Sequence, residues 1–580
     1  MRSVLVIGVD CSTTACKAIA WDTHDGAAVA EGRATFPLSN PRPGAWEQDA
    51  NHWWRALGES CRALVSALGE RVKDVASLAL THQRETVVVT DPRGEPLAPA
   101  LVWMDSRATP QVERAVQQLG ARHIHELSGK PPCTTPSLYK LRYLFDHYPR
   151  LQHAQISDVH GFLARKLLGR HVSSLASVDP MGLLDLSQGT YAPDLLDFLG
   201  VGEHQLPQLV SAGARVGGLS SSAAAHTGLP AGLMVVSGAG DGQAAGLGAG
   251  VCAPGEAYLN LGTALVSGVL SHEYLTDLSY RTLFAATPAC DLSFGAMPEE
   301  GLPSYFLETD LKGGSFSFDW LIDRLLSDNA GLGGAYQPAR DGKTGQGSEA
   351  APDSELPTGP PTKRQRLEGL AQLAHKLPPG SEGLMLLPYF NGVMNPYWDD
   401  LASGALVGLR GHHGPEHVYR AIAEGLAFEQ RLHTSSVEAS AGEISQLVCM
   451  GGSSDARWVR QLFADVMNKP LVRATSTEAT CLGAGILAAC GAGAFRHSAE
   501  AVAAMTSRGE RVEPAAQRAA YDQLFREVYT KLYPSLREPL ARLSALTQPA
   551  TAPDGAAAAA DGAATGSAAT GSAATKRSAE

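Results

Sequence analysis

One unit of this chain occurs twice, and it constrains the fold more than any other feature. Near the N-terminus an apolar strand, Val4-Leu5-Val6-Ile7-Gly8-Val9, runs into Asp10-Cys11-Ser12-Thr13-Thr14 and leaves through Ala18-Ile19-Ala20-Trp21-Asp22. Roughly a domain later, Ala257-Tyr258-Leu259-Asn260-Leu261 runs into Gly262-Thr263-Ala264 and leaves through Leu265-Val266-Ser267-Gly268-Val269-Leu270. Each copy delivers small and hydroxyl side chains to a tight turn. Short side chains let a phosphate approach the backbone, and N–H groups and hydroxyls donate to it. Two such turns facing each other across a cleft would clasp the phosphate tail of one nucleotide, ATP being the expected one. The repeat predicts a two-lobed molecule.

With 580 residues the chain holds two or more domains, each able to build its own core. Gly and Pro divide it into short elements of alternating type, the pattern of an α/β protein. Strands are expected at 4–9, 17–21, 76–81 and 86–90, a helix over 49–68, and mainly helices over 111–200. Met234–Asp241 reads as a buried strand ending in a glycine-rich turn, followed by a tightly packed helix over 242–250. The expected division is an N-terminal lobe over 1–253 and a C-terminal lobe over 254–545. Residues 329–366 and 546–580 are rich in Gly, Ser, Pro or Ala without periodicity and read as a disordered insertion and tail. Within the insertion, Lys363-Arg364-Gln365-Arg366 reads as a solvated loop or the start of the next helix rather than an import signal.

A net charge of −12 argues against nucleic acid and anionic membranes as partners. No apolar run reaches membrane-spanning length. Nine cysteines without a Cys-x-x-Cys pair point to a reduced compartment, and a cytoplasmic location is expected.

Asp10, where a strand meets a phosphate-type turn, is placed to hold Mg²⁺ through water or simply to cap the turn. Asp241 ends an apolar strand among Gly238, Gly240 and Gly242, which would let a substrate reach its carboxylate. A hydroxyl attacking a γ-phosphorus must lose its proton, and Asp241 fits the acceptor's role; the other reading is again a cap. Between two strands, Gln83, Arg84 and Glu85 could donate to and accept from sugar hydroxyls, or form a surface turn. Trp103 could stack on a sugar or fill the core. Gly451-Gly452 follows a strand and would let the backbone approach a base or phosphate, with a small-residue helix from Thr480 packed beside it.

As an ordered set, these pieces resemble the FGGY family of carbohydrate kinases, whose members include glycerol kinase and xylulokinase. The resemblance covers about residues 4–545. It runs through Gly44-Ala45-Trp46-Glu47-Gln48-Asp49 with Trp53-Trp54, Gln83-Arg84-Glu85-Thr86, Trp103-Met104-Asp105, Gly240-Asp241, Gly262-Thr263 and Gly451-Gly452. Gly404–Leu409 with His417–Glu424 forms one family signature, and Ser137–Leu144 forms the other with Tyr143 at the usual Trp. The resemblance implies an actin-like, ribonuclease-H-like fold with the site in the interdomain cleft. It implies Asp241 as catalytic base, and Arg84, Glu85, Gln83, Trp103, Asp241 and Gln243 at the sugar. Ser12, Thr13, Thr14, Lys17, Gly262, Thr263, Gly314, Gly451 and Gly452 would face the nucleotide, with Asp10 near Mg²⁺. Departures are Ser12 at the family's turn glycine, Gly242 after the base, and Ala456 near the adenine. Gln83-Arg84-Glu85-Thr86 looks like glycerol kinase, whereas Trp46–Trp54 and Asn260–Thr263 look like xylulokinase. The implied substrate is a small sugar, a ketopentose before a polyol, and a sugar sensor on the same fold is the rival from another class. A homodimer is left open as the assembly.

Overall fold

The protein is described here from a computed structural model, over residues 4–262, 264–287, 304–311, 313–326, 362–399 and 401–547. The N-terminal half builds a sheet from β1 (Leu5–Cys11), β2 (Ala15–Asp22), β3 (Ala28–Thr35), β4 (Val75–His82) and β5 (Met234–Gly240). Helix α1 (Ala50–Leu68) lies between β3 and β4, and α2 (Asp241–Gly248) follows β5 without a loop. The first three strands form an antiparallel meander. β4 then runs parallel to β1 and β5 parallel to β4, giving the order β3-β2-β1-β4-β5 with Arg215–Gly218 as a sixth, edge strand.

The C-terminal half repeats this plan with β6 (Glu256–Leu261), β7 (Leu265–Ser271), β8 (Tyr305–Leu311), β9 (Gln446–Met450) and β10 (Leu471–Ala474). Their order is β8-β7-β6-β9-β10 with the same strand senses, inside a seven-stranded sheet edged by Arg281–Phe284 and Arg508–Val512. Helix α3 (Pro415–Ala441) precedes β9, α4 (Arg457–Met467) joins β9 to β10, and α5 (Ala479–Ala492) follows β10. The repeat seen in sequence is therefore a repeat of whole sheets, and the two-lobed actin-like α/β expectation holds.

Alternation along β1 explains its packing. Leu5, Ile7, Val9 and Cys11 share a core with Trp53, Leu57 and Cys61 of α1, while Val6 belongs to another core with Cys481 and Ile486 of α5. The small-residue helix α5 thus leaves the C-terminal sheet and lies against β1 and α2, rather than only beside Gly451-Gly452 as expected. Its glycines make that possible. A Cβ on Gly483 would fall 1.9 Å from the Ala244 carbonyl oxygen, and one on Gly248 would fall 1.8 Å from that of Ala479.

Val87–Thr90 is a strand, as expected; it pairs with Gln155–Asp158 in a separate small sheet that also holds Glu47–Gln48 and Ala100–Leu101. Residues 111–200 are mainly helical, as expected, with short strands such as Val172–Ser174 among the helices. One boundary needs correction. The chain is helical from Lys363 to Ala374, capped reciprocally by Thr362 and Gln365, so the insertion's read boundary at 366 falls inside a helix. The rest of the insertion, 329–361, and nearly all of the tail lie outside the described residues. Among the described residues no helix is long and apolar enough to cross a membrane.

Gly483→Ala forces a Cβ into the backbone of α2. It is expected to lower unfolding free energy by about 1–3 kcal/mol, read from the denaturant midpoint; an unchanged midpoint would contradict the contact.

Candidate active site

β5 delivers Asp241 to the first residue of α2. Its Oδ1 accepts the Gly242 N–H at 2.8 Å and pairs with Arg84 Nε at 2.9 Å. Among the described residues Oδ2 has no partner, and the side chain is 39% exposed. Arg84, 8% exposed, passes so close to the start of α2 that a Cβ on Gly242 would sit 2.8 Å from its guanidinium. Any larger residue there would push Arg84 from the acid, which accounts for the glycine after Asp241. Gln243 is wholly buried: its Nε2 donates to the Ala176 carbonyl at 3.0 Å, while its Oε1 lies beside Gly240 without a hydrogen-bond partner among the described residues.

The C-terminal sheet supplies the other half of the Arg84 environment. One register row crosses it as Tyr258, Gly268, Glu308 and Arg281. Gly268 has no side chain to block Tyr258, whose ring lies where a Cβ would be, 2.4 Å away. Tyr258 reaches across and donates its hydroxyl to Glu308 at 2.9 Å. Glu308 also accepts from Arg84 Nη1 at 2.7 Å and Arg281 Nη2 at 2.6 Å. Arg281 Nη1 closes the circuit on Glu85 at 2.8 Å. Glu85 holds a left-handed backbone, φ 55°, which turns its carboxylate to Arg281. Burial opposes the charge on Glu308, but Arg84 and Arg281 outweigh it and hold the carboxyl below its usual range. Nearby, the buried Lys130 pairs with Asp179.

The first turn is tied to the same segment. Thr13 accepts from Gln48 Nε2 through its carbonyl and from Trp103 Nε1 through its hydroxyl at 3.2 Å. Gln48 Oε1 accepts from Gln83 at 2.8 Å, Gln83 accepts from Thr86 at 3.2 Å, and Thr86 accepts the Trp103 N–H at 3.2 Å. This ring ties the turn to the segment around Arg84, with Gln83 and Trp103 as members of it. Ser12 caps its own turn on the Ala15 carbonyl and keeps a negative φ, so the family's glycine is not required by this backbone. Thr14 is exposed at the tip. Lys17 is held by Glu478 at 2.6 Å.

Asp10 Oδ1 is buried without a hydrogen-bond partner. Burial, then the charges of Asp241 and Glu478, push its pKa up to about 8, with Lys17 a smaller opposing influence. A carboxylate so placed suits a cation beside it. Among the described residues no three His, Cys, Asp or Glu side chains form a metal-holding group. Mg²⁺ keeps much of its water and takes one or two carboxylates plus substrate phosphates, so the feature here that suits it is the buried, unpartnered Oδ1 of Asp10.

In the second lobe Gly262 and Gly314 line a cavity of about 320 Å³ with Leu265, Phe318, Ala456 and Trp458. The Gly262 carbonyl accepts the Ser315 N–H at 2.9 Å, joining the two glycine segments. Gly451 adopts φ 87° against Leu261, and a Cβ on Gly452 would enter open space. Ala456 leaves room in the wall of this cavity. Thr263 lies outside the described residues.

Sequence reasoning missed Glu308, Arg281, Tyr258 and Gln48. The available signal was two acids, Glu308 and Asp310, in the apolar Tyr305–Leu311 and a lone base in Arg281–Phe284, each needing a countercharge if buried.

Models of the FGGY family of carbohydrate kinases match the chain, the N-terminal domain over residues 5–248 and the C-terminal domain over 257–492. A glycerol kinase of Thermococcus onnurineus (strain NA1) is 29% identical over 490 residues, covering 83% of this chain and 88% of that one. A xylulose kinase of Bacillus subtilis (strain 168) is 25% identical over 531 residues, covering 91% and 96%. Among solved structures, the ligand-bound xylulose kinase from Lactobacillus acidophilus superposes with a TM-score of 0.80 at 22% identity, covering 93% and 100%. Plasmodium falciparum glycerol kinase with ADP gives 0.76 at 18%, covering 93% and 98%.

Because the native state lowers the pKa of Glu308, its charge stabilises the fold above the ordinary value of 4.5 and that stability is lost as pH falls further. Glu308→Gln is expected to cost about 3–5 kcal/mol near neutrality. In denaturant titrations the gap to wild type should narrow below pH 4.5; a gap independent of pH would show that Glu308 is not charged.

Proposed function

The chain belongs to the FGGY family of carbohydrate kinases, phosphotransferases with an alcohol group as acceptor, and we propose that it moves the γ-phosphate of ATP to a hydroxyl of a ketopentose. The observation that carries this reading is Asp241: one oxygen is fixed by Arg84 and its own helix N–H, and the other is unpartnered on a half-exposed side chain.

In this reading the sugar hydroxyl lies against Asp241 Oδ2. Asp241 takes its proton as the new O–P bond forms and ADP departs with the electron pair of the broken bond. Arg84 orients the base, and Glu85 offers its second oxygen to a neighbouring hydroxyl. Ser12, Thr13 and Thr14 on one side and the Gly262 turn on the other hold the phosphates. The adenosine enters the cavity beside Ala456 and Trp458. Mg²⁺, when bound near Asp10, neutralises charge on the phosphates. Closing the lobes expels water that would otherwise compete with the sugar. The residues divide into an N-terminal lobe, 1–253, for the sugar and base, and a C-terminal lobe, 254–545, for the nucleotide.

A second reading, glycerol or another polyol as substrate, is supported by the fixing of Arg84 and Glu85 beside the base. The features that suggested a sensor have local reasons: Ser12 fits its turn, Gly242 makes room for Arg84, and Ala456 widens the cavity.

Coupled ADP-release assays with xylulose, ribulose, glycerol, erythritol and xylitol decide the substrate. The expected result is turnover highest with a ketopentose. Turnover with glycerol alone would overturn that choice, and no sugar-dependent ADP release would overturn the kinase reading. Asp241→Asn should lower turnover at least about a hundredfold while sugar binding persists; near-normal turnover would remove Asp241 as the base.

A further inference from the structure

Just before the acid, β5 breaks step with β4. The register between them shifts between Val236 and Ala239, which takes Gly238 out of the ladder. The strands come so close there that a Cβ on Gly238 would lie 1.5 Å from the Leu80 carbonyl oxygen. A bulged residue in a dry core must find partners for its N–H and C=O elsewhere. Both are found on side chains. The Gly238 N–H donates to His160 Nε2 at 3.0 Å, and its carbonyl accepts from Ser174 Oγ at 2.6 Å.

This support continues outward through buried groups. Accepting at Nε2 places the His160 proton on Nδ1, which donates to Ser173 Oγ at 3.1 Å; Ser173 in turn donates to Asp158 Oδ2 at 2.9 Å. Asp158 Oδ1 accepts the Gly161 N–H at 2.9 Å, and its other oxygen lies 3.6 Å from His82 Nε2. His82 Nδ1 is 2.8 Å from the Gln83 carbonyl, one residue before Arg84. His160, Ser173, Ser174 and Asp158 are each at most 2% exposed. The strand ending at Asp158 pairs with Val87–Thr90, so both ends of the chain of contacts rest on elements that carry the site.

We propose that His160 and Ser174 are positioning residues for phosphoryl transfer, holding the Gly238 bulge so that Asp241 meets Arg84 three residues later. Neither touches the reacting atoms. They act through the backbone of Gly238, and the proposal rests on Asp241 being the base.

The test is steady-state kinetics of the full chain with ATP, Mg²⁺ and its best sugar, for His160→Leu, His160→Gln, Ser174→Ala and Asp241→Asn, and for His160→Leu combined with Asp241→Asn. His160→Leu removes the acceptor and should lower kcat at least about tenfold with KM for ATP within about twofold. His160→Gln can still offer an oxygen near the Nε2 position and should recover most of that loss. In the Asp241→Asn background His160→Leu should add less than about twofold, since residues acting through one group are not additive. Ser174→Ala is the smaller perturbation and, should His160→Leu fail to fold, is expected to show the same kcat loss and the same lack of additivity. Wild-type kcat in His160→Leu, or in Ser174→Ala where the former does not fold, alongside an inactive Asp241→Asn would overturn the positioning role alone. Multiplying losses in the double variant would also overturn it, as a general structural defect. An active Asp241→Asn would overturn the base and the positioning role with it.

Discussion

Glu308 carries a negative charge with no exposure to water, and the geometry of the site depends on how that charge is satisfied. Three donors meet it: Tyr258 from the first strand of the second sheet, Arg281 from its edge, and Arg84 from the other half of the molecule. A buried carboxylate left without such partners would cost several kcal/mol. Arg84 is therefore not free to sample rotamers, and Asp241 meets a fixed guanidinium. The cross-lobe pairs Arg84–Glu308 and Arg281–Glu85 make the position of the base a property of both sheets.

The two sheets share a strand order but have diverged at their turns. The first brings Asp10 and three hydroxyl side chains; the second brings Gly262 and opens onto an apolar cavity. One copy suits cation and phosphate, the other a flat apolar group. Between them α2 and α5 cross at backbone contact, which the missing side chains of Gly248 and Gly483 permit, so the junction of the lobes is narrow and closely packed.

Local pattern carried much of this in the sequence. Alternating burial, the doubled strand–turn–strand unit and Asp241 at a strand end are short-range signals, and the family resemblance tied them into a fold. Glu308 and Arg281 were not legible because their partners, Arg84 and Glu85, lie some two hundred residues away and no local period marks them. Gln48 was visible only as part of a motif; its role in bracing Thr13 needs the folded turn. The burial of Gln243, with Oε1 left unpartnered beside Gly240, likewise needs the folded start of α2 to be seen. Ser12 looked like a departure in sequence and is unstrained in three dimensions, since its turn needs no positive φ.

A double-mutant cycle on unfolding free energy between Glu85→Gln and Arg281→Met tests most directly whether buried charge couples the two lobes. A coupling of at least about 1.5 kcal/mol is expected, because each single change strands its partner in a dry site. Effects that add within about 0.5 kcal/mol would contradict it.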